Sequence, residues 1–427
     1  MKKLLLLCSV YSFLIFPQSE KNDIINISLD SLLSLPVQSA SKFFQNISDA
    51  PASVTIITSA DIEYYGHRNL SEVLQFVRSF YISNDKNYSY TGIRGFSRPS
   101  DYNNRILLLI NGHRLNESIY GSAFIGSELA IDLSMIDKIE IVRGPGSVLY
   151  GTNAMFAVIN IIVKKASQFD GVNAAVEYGS FQHKKVILNF GKEYNNGLEL
   201  NISGNYADIK GEDIYFEEFD TESTNKGIAL NQDKENYFSV FNSIKYKNFT
   251  FQGFYSGRTK YVPTAVYGTV FNGDTKTKDC LAFAQISYAI NLYENTELFL
   301  RTYYDHYLYE GYYPYEDNSE VYDSFDESIG NQLGGEAQLT WSILSNDIIV
   351  IGTEYQNSID ATYAYWEDEN EISGGNYPYQ NFSFYFNNEY KPIDNLALIT
   401  GIRGEKHSGI KLNIIPRVGI IYGLNST

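Results

Sequence analysis

The sequence is poor in cysteine and has no excess of positive charge. Only Cys8 and Cys280 occur in 427 residues. Because Cys8 lies in a predicted leader, no intrachain disulfide is expected in the mature chain. Lys and Arg together number 33, against 50 Asp and Glu, which gives a formal net charge of -17. The chain therefore has no basic surface for nucleic acid, and nucleic acid is not expected as a partner.

The sequence also lacks the common catalytic motifs. There is no HExxH, CxxC, GxSxG or Walker pattern. The glycines at 144, 146 and 151 could form a phosphate-binding loop, but the Lys-Ser/Thr ending of such a loop is missing. The five histidines, at 67, 113, 183, 306 and 407, have no metal-ligand spacing. We therefore expect no enzyme activity, no resident metal and no cofactor.

Long apolar runs are absent except at the N-terminus. Lys2 and Lys3 precede an apolar stretch at residues 4–16, which is typical of a secretory signal and too short to span a membrane as a helix. We predict a signal peptide over residues 1–19. Export of a chain without later apolar helices indicates the outer membrane or the outside of the cell.

The stretch over residues 139–165 contains the strongest local pattern. Ile139–Arg143 alternates apolar and polar residues, as a half-buried strand does. Gly144, Pro145 and Gly146 then predict a chain reversal. Val158–Val163 is a nearly continuous apolar run, which favours a strand buried on both faces.

The preceding hundred residues mix short strands and helices. A strand is predicted at Val54–Ile57, a helical turn from Ser59 to Gly66, and a helix with Asn69 as its N-cap. The apolar side of that helix has helical spacing, at Leu70, Val73, Leu74 and Val77. Arg105–Ile110 predicts a further strand, followed by a turn at Asn111-Gly112. Together these elements predict an α/β domain over residues 50–167.

Four motifs occur in this region in a fixed order. They are P-x-S-V-x-I-I-T at Pro51–Thr58, G-I-R-G-F at Gly92–Phe96, L-L-I-N-G at Leu108–Gly112, and the 139–165 stretch. In this order they closely resemble the plug domain of TonB-dependent outer-membrane receptors. Ala157 stands where that family usually has Gly, a difference of one methyl group. The resemblance implies a plug that gates a large membrane barrel.

Residues 170–427 show alternating apolar and polar residues, clearest at 198–206 and 333–343. This pattern suits a barrel wall between lipid and an aqueous lumen, and 36 Tyr and 26 Phe suit its aromatic girdles. Short turns are predicted at residues 195–197, 247–248, 291–295, 345–346 and 392–395. Long loops are predicted between them, at about 210–235, 259–277, 309–329 and 361–380.

We count about twelve strands in this part of the sequence. The predicted fold is thus an α/β plug domain followed by an antiparallel transmembrane β-barrel, with about 12 of an expected 22 strands, because plugged transporters need about 22. The sequence also ends without the terminal aromatic strand typical of such barrels. We therefore predict a truncated product lacking roughly ten strands.

The resemblance also implies functional residues. A TonB box, recognised by strand addition to its partner, is expected within the N-terminal segment at residues 20–49. Ligand contacts are expected in apical loops of the plug. Ion pairs between plug and barrel are expected at arginines that correspond to those of the family. The corresponding residues are Val37, Gln38, Ser39, Ala40 and Ser41 for the box; Arg94, Phe96, Arg98, Tyr102 and Tyr120 for ligand; and Arg94 and Arg143 for ion pairing.

The predicted outer loops are rich in carboxylates and aromatic residues. Residues 212–222, 316–327 and 367–371 contain many Asp and Glu. These carboxylates could bind calcium, or they could keep the loops solvated. Aromatic residues in the same loops, such as Tyr363 and Trp366, could stack on a ligand or belong to the membrane girdle.

The function implied by the resemblance is a TonB-dependent outer-membrane receptor and transporter for a metal chelate. A ferric siderophore is the first expectation, with haem or cobalamin as alternatives. The implied partners are the TonB energy-transducing complex of the inner membrane, outer-membrane lipid and the metal-chelate ligand. Two alternatives stay open: a passive porin or barrel adhesin, and a non-functional truncated receptor.

Overall fold

A computed structural model describes residues 36–39, 41–43, 45–46, 52–98, 100–318, 320–368, 370–393 and 395–423. The predicted signal peptide, the part of the N-terminal segment before Pro36, and Ala40 lie outside the described residues. The described chain forms a small mixed sheet with short helices, followed by one large antiparallel sheet.

Within the described residues, the N-terminal part of the chain contains nine short strands, four short α-helices and a 3-10 helix at Leu133–Met135. The strands are β1 (Pro36–Val37), β2 (Gln45–Asn46), β3 (Ser53–Thr58), β4 (Phe80–Asn84), β5 (Ser89–Ile93), β6 (Ile106–Ile110), β7 (His113–Arg114), β8 (Ile136–Arg143) and β9 (Ala157–Val163). The helices are α1 (Ser59–Tyr65), α2 (Leu70–Gln75), α3 (Ser147–Tyr150) and α4 (Ala166–Phe169). Within these described ranges, no helix is long and apolar enough to cross a bilayer.

Five of these strands form the central sheet in the order β3-β8-β9-β6-β7. The β6–β9 pair is parallel and the other pairs are antiparallel. Strands β6 and β9 are buried on both faces, apart from a half-buried Ile162, as their continuous apolar runs predict. The strand pair β4–β5 lies apart from this sheet.

The helix ends follow the sequence signals closely. Asn69 caps α2, and its side-chain oxygen accepts a hydrogen bond from Glu72 N at 3.1 Å. Glu72, three residues after Asn69, has the sequence position of a capping-box partner, but its carboxylate accepts from Arg68 N rather than from Asn69 N, so no reciprocal capping box forms. Helix α1 begins at Ser59 and is closed by Gly66, as predicted; Thr58 is its N-cap, and Gly66 lies in the left-handed region at φ 66°.

The C-terminal part of the chain forms a sheet with twelve strands along one path and one strand beside it. The path runs β10 (Gly171–Tyr178), β11 (Lys184–Glu193), β12 (Leu198–Ile209), β15 (Glu235–Tyr246), β16 (Phe249–Tyr261), β17 (Lys276–Tyr293), β18 (Thr296–Asp317), β19 (Glu320–Leu344), β20 (Asp347–Glu367), β22 (Tyr379–Ile393), β23 (Leu396–His407) and β24 (Asn413–Tyr422). Strand β21 (Asn370–Asn376) pairs with β20, and β13 (Ile214–Tyr215) pairs with β14 (Ile228–Ala229) in the connection before β15. The predicted count of about twelve strands is confirmed.

The two faces of this large sheet have opposite polarity. On β11, Lys185 and Asn189 are buried, whereas Val186 and Leu188 are more than half exposed. Several of the buried residues face the small domain, since Lys185 pairs with Asp132 and Asn189 donates to Ser134 Oγ. A wall that is polar inside and apolar outside is the pattern expected of a barrel in lipid.

Two of the predicted long loops are extended strands instead. Residues 309–329 fall mostly in β18 and β19, and residues 361–380 mostly in β20, β21 and β22. The reason is register: β18 and β19 remain paired from Thr296–Trp341 to Asp317–Glu320 without a shift. Polar residues in this hairpin can pair as strands because, beyond the membrane, both faces of a sheet can be hydrated. The predicted short turns at 195–197, 247–248, 345–346 and 392–395 do connect strands.

Candidate functional site

The predicted TonB box is held against the small domain by one carboxylate. Glu140 Oε2 accepts hydrogen bonds from Gln38 N at 3.2 Å, Ser39 N at 3.0 Å and Ser39 Oγ at 2.5 Å. Asn160 Nδ2 donates to Ser39 Oγ at 3.0 Å. The carboxylate thus occupies two backbone N–H groups that a strand-adding partner would need.

Apolar packing fixes the same segment. Val37 is fully buried and contacts the cluster formed by Leu107, Leu109, Val142, Ala154 and Val158. Burying a Val side chain contributes roughly 1.5–3 kcal/mol. Release of the segment must therefore break both this contact and the Glu140 hydrogen bonds.

Directly after the predicted box, Lys42 joins the segment to the large sheet. Lys42 Nζ lies 2.5 Å from Glu336 Oε1 on β19, 3.2 Å from Tyr385 Oη and 4.3 Å from the Tyr385 ring centroid. Glu336 also forms an ion pair with Arg301, whose Nε lies 2.7 Å from Glu336 Oε2. Burial lowers the pKa of the Lys42 ammonium below its usual range, against the opposing effect of Glu336. The ion pair is thus a buried bridge between the N-terminal segment and the sheet.

A second carboxylate, Glu117, organises the loop that carries Tyr120. Its two oxygens accept from Ile119 N at 2.6 Å, Tyr120 N at 3.0 Å and Ser122 N at 2.6 Å. Burial raises the pKa of the Glu117 carboxyl, although these backbone hydrogen bonds oppose the shift. One buried side chain thus supplies the acceptors that regular secondary structure would otherwise give these backbone N–H groups.

Two cavities lie on either side of this loop, and both are lined by Tyr120 and Tyr363. Their volumes are about 650 Å³ and about 430 Å³, which are in the range of small-molecule sites. We call these two cavities together the chamber. The larger cavity is also lined by Arg114, Gln332, Gln356, Tyr377, Tyr379, Asn381 and His407, and the smaller by Tyr88, Asp101, Tyr102, Tyr307, Tyr309 and Asp326.

The chamber is formed by both parts of the chain. Tyr120 Oη lies 3.3 Å from Ser328 Oγ on β19, and Tyr379 Oη donates to Ser118 O at 2.6 Å. Tyr102 Oη lies 3.4 Å from Tyr267 Oη, in the connection between β16 and β17. A ligand in the chamber would therefore contact the small domain and the large sheet together.

The predicted ligand residues are only partly brought together. Tyr102 and Tyr120 line the chamber, whereas Arg94, Phe96 and Arg98 are exposed and do not line either cavity. Phe96 stacks on Phe156, with ring centroids 5.9 Å apart. The sequence reasoning missed Tyr88, Tyr307 and Tyr309, which reach the chamber from β5 and β18 or their ends.

The arginines predicted for ion pairing form no ion pair within the described part of the chain. Arg143 donates to Arg78 O at 3.0 Å and to Thr55 Oγ1 at 3.1 Å, both in the small domain. Arg94 is exposed and has a left-handed backbone, at φ 53°. The ion pairs between the two parts of the chain are formed by other residues.

The largest of these charge clusters surrounds Arg258 on β16. Its guanidinium is fully buried, 3.0 Å from Asp279 Oδ2, 3.5 Å from Glu128 Oε2 and 3.7 Å from Glu235 Oε1. It also donates to Asn87 O at 2.7 Å. Glu128 and Asn87 belong to the small domain, so this single cation connects two of its loops to the sheet.

The Lys42 and Tyr120 contacts lie at different heights of the same strand, β19. Lys42 meets β19 at Glu336, and Tyr120 meets β19 at Ser328. Eight residues separate these positions, which corresponds to ~26 Å along an extended strand. The docked segment and the chamber are thus at two separate levels of the small domain. In the described residues, no group of three or more His, Cys, Asp or Glu is arranged to hold a metal ion.

Comparison with known proteins agrees with this architecture. The family described as "TonB-dependent Receptor Plug Domain" matches residues 46–158. Residues 46–158 thus form a TonB-dependent receptor plug domain. We therefore call the small domain the plug and the large sheet the barrel wall. The family consists of outer-membrane receptors and not of enzymes.

Two curated relatives are vitamin B12 transporters. The protein from Vibrio vulnificus (strain CMCP6) is 26% identical over 208 residues, which cover 48% of this chain and 32% of the relative. One from Vibrio cholerae (strain M66-2) is 29% identical over 181 residues, covering 42% and 28%. The alignments thus span about a third of the length of these curated relatives.

Solved structures of siderophore receptors share the fold. The pyoverdine outer membrane receptor FpvA from Pseudomonas aeruginosa PAO1 superposes with a TM-score of 0.71 at 13% identity, covering 91% of this chain and 63% of FpvA. The ferric-catecholate import receptor Fiu from E. coli K12 has a TM-score of 0.63 at 14% identity, covering 92% and 71%. At these identities the likeness establishes the plug and barrel-wall architecture.

Proposed function

We propose that this chain acts as an energy-coupled outer-membrane receptor that binds a metal chelate in the chamber and passes it inward. In this proposal residues 37–41 form the TonB box, and the inner-membrane TonB complex supplies the energy. The location follows from the family and from the apolar outer face of the wall, which suits lipid.

The observation that carries the proposal is the arrangement along β19. The chamber meets this strand at Ser328, and the N-terminal segment is bridged to it at Glu336 by Lys42. A plug that binds ligand at one level and holds an extended segment at another can couple the two events. A passive pore needs neither feature.

The docked segment also suggests how energy enters. A partner that adds a strand needs free backbone N–H groups, but Gln38 N and Ser39 N are bound to Glu140. The partner must therefore replace that carboxylate as the acceptor for these two N–H groups. Pulling would then act on a plug strand, β8, through the same residue.

The chamber fits a chelate larger than a single metal ion. A cavity of about 650 Å³ beside one of about 430 Å³ is suited to a ligand of several hundred daltons. The names of the relatives include transporters of vitamin B12 and receptors for ferric siderophores. A metal chelate of this size is the substrate class we propose.

A proline substitution within the segment tests the proposal. Gln38→Pro removes one backbone N–H from the box, and the exposed Gln38 side chain makes no hydrogen bond to the described residues. We expect cells producing this variant to bind a radiolabelled chelate normally but to lose its uptake. Gln38→Ala is the matched control, because it keeps the backbone N–H and should retain uptake.

The same assay distinguishes a passive pore. Uptake by the unmodified chain should stop when an uncoupler collapses the proton motive force. Uptake that continues under the uncoupler, or that is equal in the Gln38→Pro and Gln38→Ala variants, would contradict energy coupling and favour a porin.

A further inference from the structure

The charged side chains that line the chamber are mostly acidic. They are Asp101, Glu117 and Asp326, against one guanidinium, Arg114, and the imidazole of His407. Asp101 has a cation nearby, since Arg105 lies 3.8 Å away. Glu117 is saturated by backbone N–H groups. The electrostatic character of the chamber therefore depends on Arg114 and Asp326.

Arg114 is already committed to the plug. Its Nη1 donates to Thr152 O at 3.0 Å and to Asn153 Oδ1 at 2.7 Å, and its Nη2 donates to Tyr150 O at 2.8 Å. These acceptors fix the guanidinium against the loop at 150–153. An anionic ligand would have to compete with three good hydrogen bonds to use it.

Asp326, in contrast, has an unused acceptor. Its Oδ1 is buried and has no hydrogen-bond partner within the described structure. The same holds for Oδ1 of Asn381, a residue that is 94% buried and lines the larger cavity. A buried acceptor without a donor costs roughly 1–3 kcal/mol. A ligand that donated N–H or O–H, or brought a positive charge, at either position would offset this cost.

The wall of the smaller cavity adds to this preference. Six of its twelve lining residues are tyrosines: Tyr88, Tyr102, Tyr120, Tyr307, Tyr309 and Tyr363. Aromatic faces attract cations and pack on uncharged rings, and phenol hydroxyls bind either donors or acceptors. None of these groups can neutralise a negatively charged ligand.

The hairpins next to the chamber also carry mostly negative charge. Residues 309–327 contain seven Asp or Glu and no Lys or Arg, and residues 361–380 contain four and none. Lys278, which faces the first hairpin from β17, is paired with Glu310 at 2.7 Å. Such a surface raises the local concentration of cations and lowers that of anions.

We infer that the chamber selects a hydrogen-bond-donating chelate whose net charge is zero or positive, and that it rejects polyanionic chelates. This inference rests on the proposed function, because it assigns the substrate class of the same site. The residues concerned differ from those that the sequence suggested, since Arg94 and Arg98, expected to contact the ligand, do not line the chamber.

Binding to two charge series on the full-length chain in detergent tests the inference. One series is ferrioxamine B (cationic), its N-acetyl derivative (uncharged) and its N-succinyl derivative (anionic). The other is aquocobalamin (cationic), cyanocobalamin (uncharged) and a cobalamin monocarboxylate (anionic). Because each series keeps one framework, a trend with charge that both series share reports the charge preference of the chamber. We expect the anionic member to bind at least about tenfold more weakly than the cationic member.

Substitution of the unused carboxylate locates the effect. Asp326→Asn should weaken binding of the cationic member about tenfold and change the affinity for the uncharged member by less than about twofold. Asp323→Asn, an exposed position in the same hairpin that does not line the chamber, is the matched control and should change neither.

The outcomes separate the two proposals. If the anionic member of a bound series is the tightest, or if Asp326→Asn and Asp323→Asn behave alike, the charge inference is overturned while the receptor function stands. If neither series binds at millimolar concentration, the chelate-receptor function itself is overturned, and the charge inference with it.

Discussion

Ser39 Oγ and the carboxylate of Glu140 lie 2.5 Å apart, although 101 residues separate them in the sequence. Glu140 is almost fully buried within β8, between the buried residues Ile139 and Ile141. Its second oxygen, Oε1, is paired with Lys138 at 2.9 Å. A charged residue inside an apolar strand is costly unless it is fully paired. The N-terminal segment supplies that pairing and is itself held by it.

Removing the Glu140 carboxylate should release the segment. Glu140→Ala eliminates three hydrogen bonds to Gln38 and Ser39, and hydrogen bonds to a charged group are worth roughly 1.5–3 kcal/mol each. With a Val37→Cys reporter at the buried Val37, in a Cys280→Ser background, we expect thiol labelling to accelerate at least about tenfold. Glu140→Gln, which keeps an acceptor oxygen, should accelerate it less.

The control for that measurement is Glu63→Ala, because Glu63 is an exposed acid on α1 whose side chain does not contact the segment. Its labelling rate should equal that of the unmodified chain. Equal rates for Glu140→Ala and Glu63→Ala would show that the carboxylate does not hold the segment.

Breaking the Lys42 bridge should detach the segment from the barrel wall. In Lys42→Met, Glu336 retains Arg301 at 2.7 Å, so the carboxylate is not left unpaired. We therefore expect the free energy that holds the segment to the barrel wall to fall by about 2 kcal/mol. This is less than the ~3–5 kcal/mol expected when a buried charge is left without its partner. Denaturant-dependent labelling of the same Val37→Cys reporter measures it.

An exposed pair between the same two parts of the chain gives the comparison. Lys86 and Glu212 lie 3.6 Å apart and both side chains are more than 40% exposed. Lys86→Met should change stability by less than about 1 kcal/mol. If both lysine substitutions have the same effect, burial does not distinguish the two bridges.

Much of the architecture was predictable because it depends on local and periodic signals. The Asn69 cap, the buried strand at Val158–Val163 and the alternation on the barrel wall all follow from side-chain types at fixed spacing. The long hairpins around 309–329 and 361–380 were missed, because strands exposed to water on both faces lose the apolar alternation on which the prediction depends.

The site was less predictable, because its key contacts join residues that are distant in sequence. Tyr120 and Tyr102 were identified by their place in plug loops, but Tyr307 and Ser328 require the register of β18 and β19. Glu140 carried a usable signal, namely a carboxylate between two isoleucines in a buried strand. Lys42–Glu336 carried none, since neither residue is unusual where it occurs.

The Glu117 carboxyl should make the stability of the plug depend on pH. Burial raises its pKa in the folded state above the usual value. The folded protein therefore holds the proton more tightly than the unfolded chain does. The associated stabilisation is complete below the unfolded pKa and is lost as pH rises through the folded pKa.

Comparison with Glu117→Gln isolates this contribution. Position 117 cannot ionise in the variant. The free energy of unfolding of the unmodified chain minus that of the variant should therefore decrease as pH rises from about 4 upward. Thermal unfolding of both proteins across this range measures the difference. A difference that is constant or grows with pH would mean that the carboxyl is not destabilised by its burial.

Arg258 should be the most sensitive position in the contact between plug and barrel wall. Replacing it by Met leaves Asp279 and Glu128 as buried carboxylates near one another without a counter-charge. Removing one partner from such a buried cluster costs roughly 3–5 kcal/mol. Arg258→Lys should recover only part of the loss, because an ammonium lacks the planar fork with which a guanidinium contacts both Asp279 and the Asn87 carbonyl.

Limited proteolysis of the plug in the folded, detergent-solubilised chain measures this loss. Lys245→Met is the control, since the exposed Lys245–Glu199 pair lies within the wall alone. A plug in Arg258→Met that is cut no faster than in Lys245→Met would show that the cluster does not anchor it.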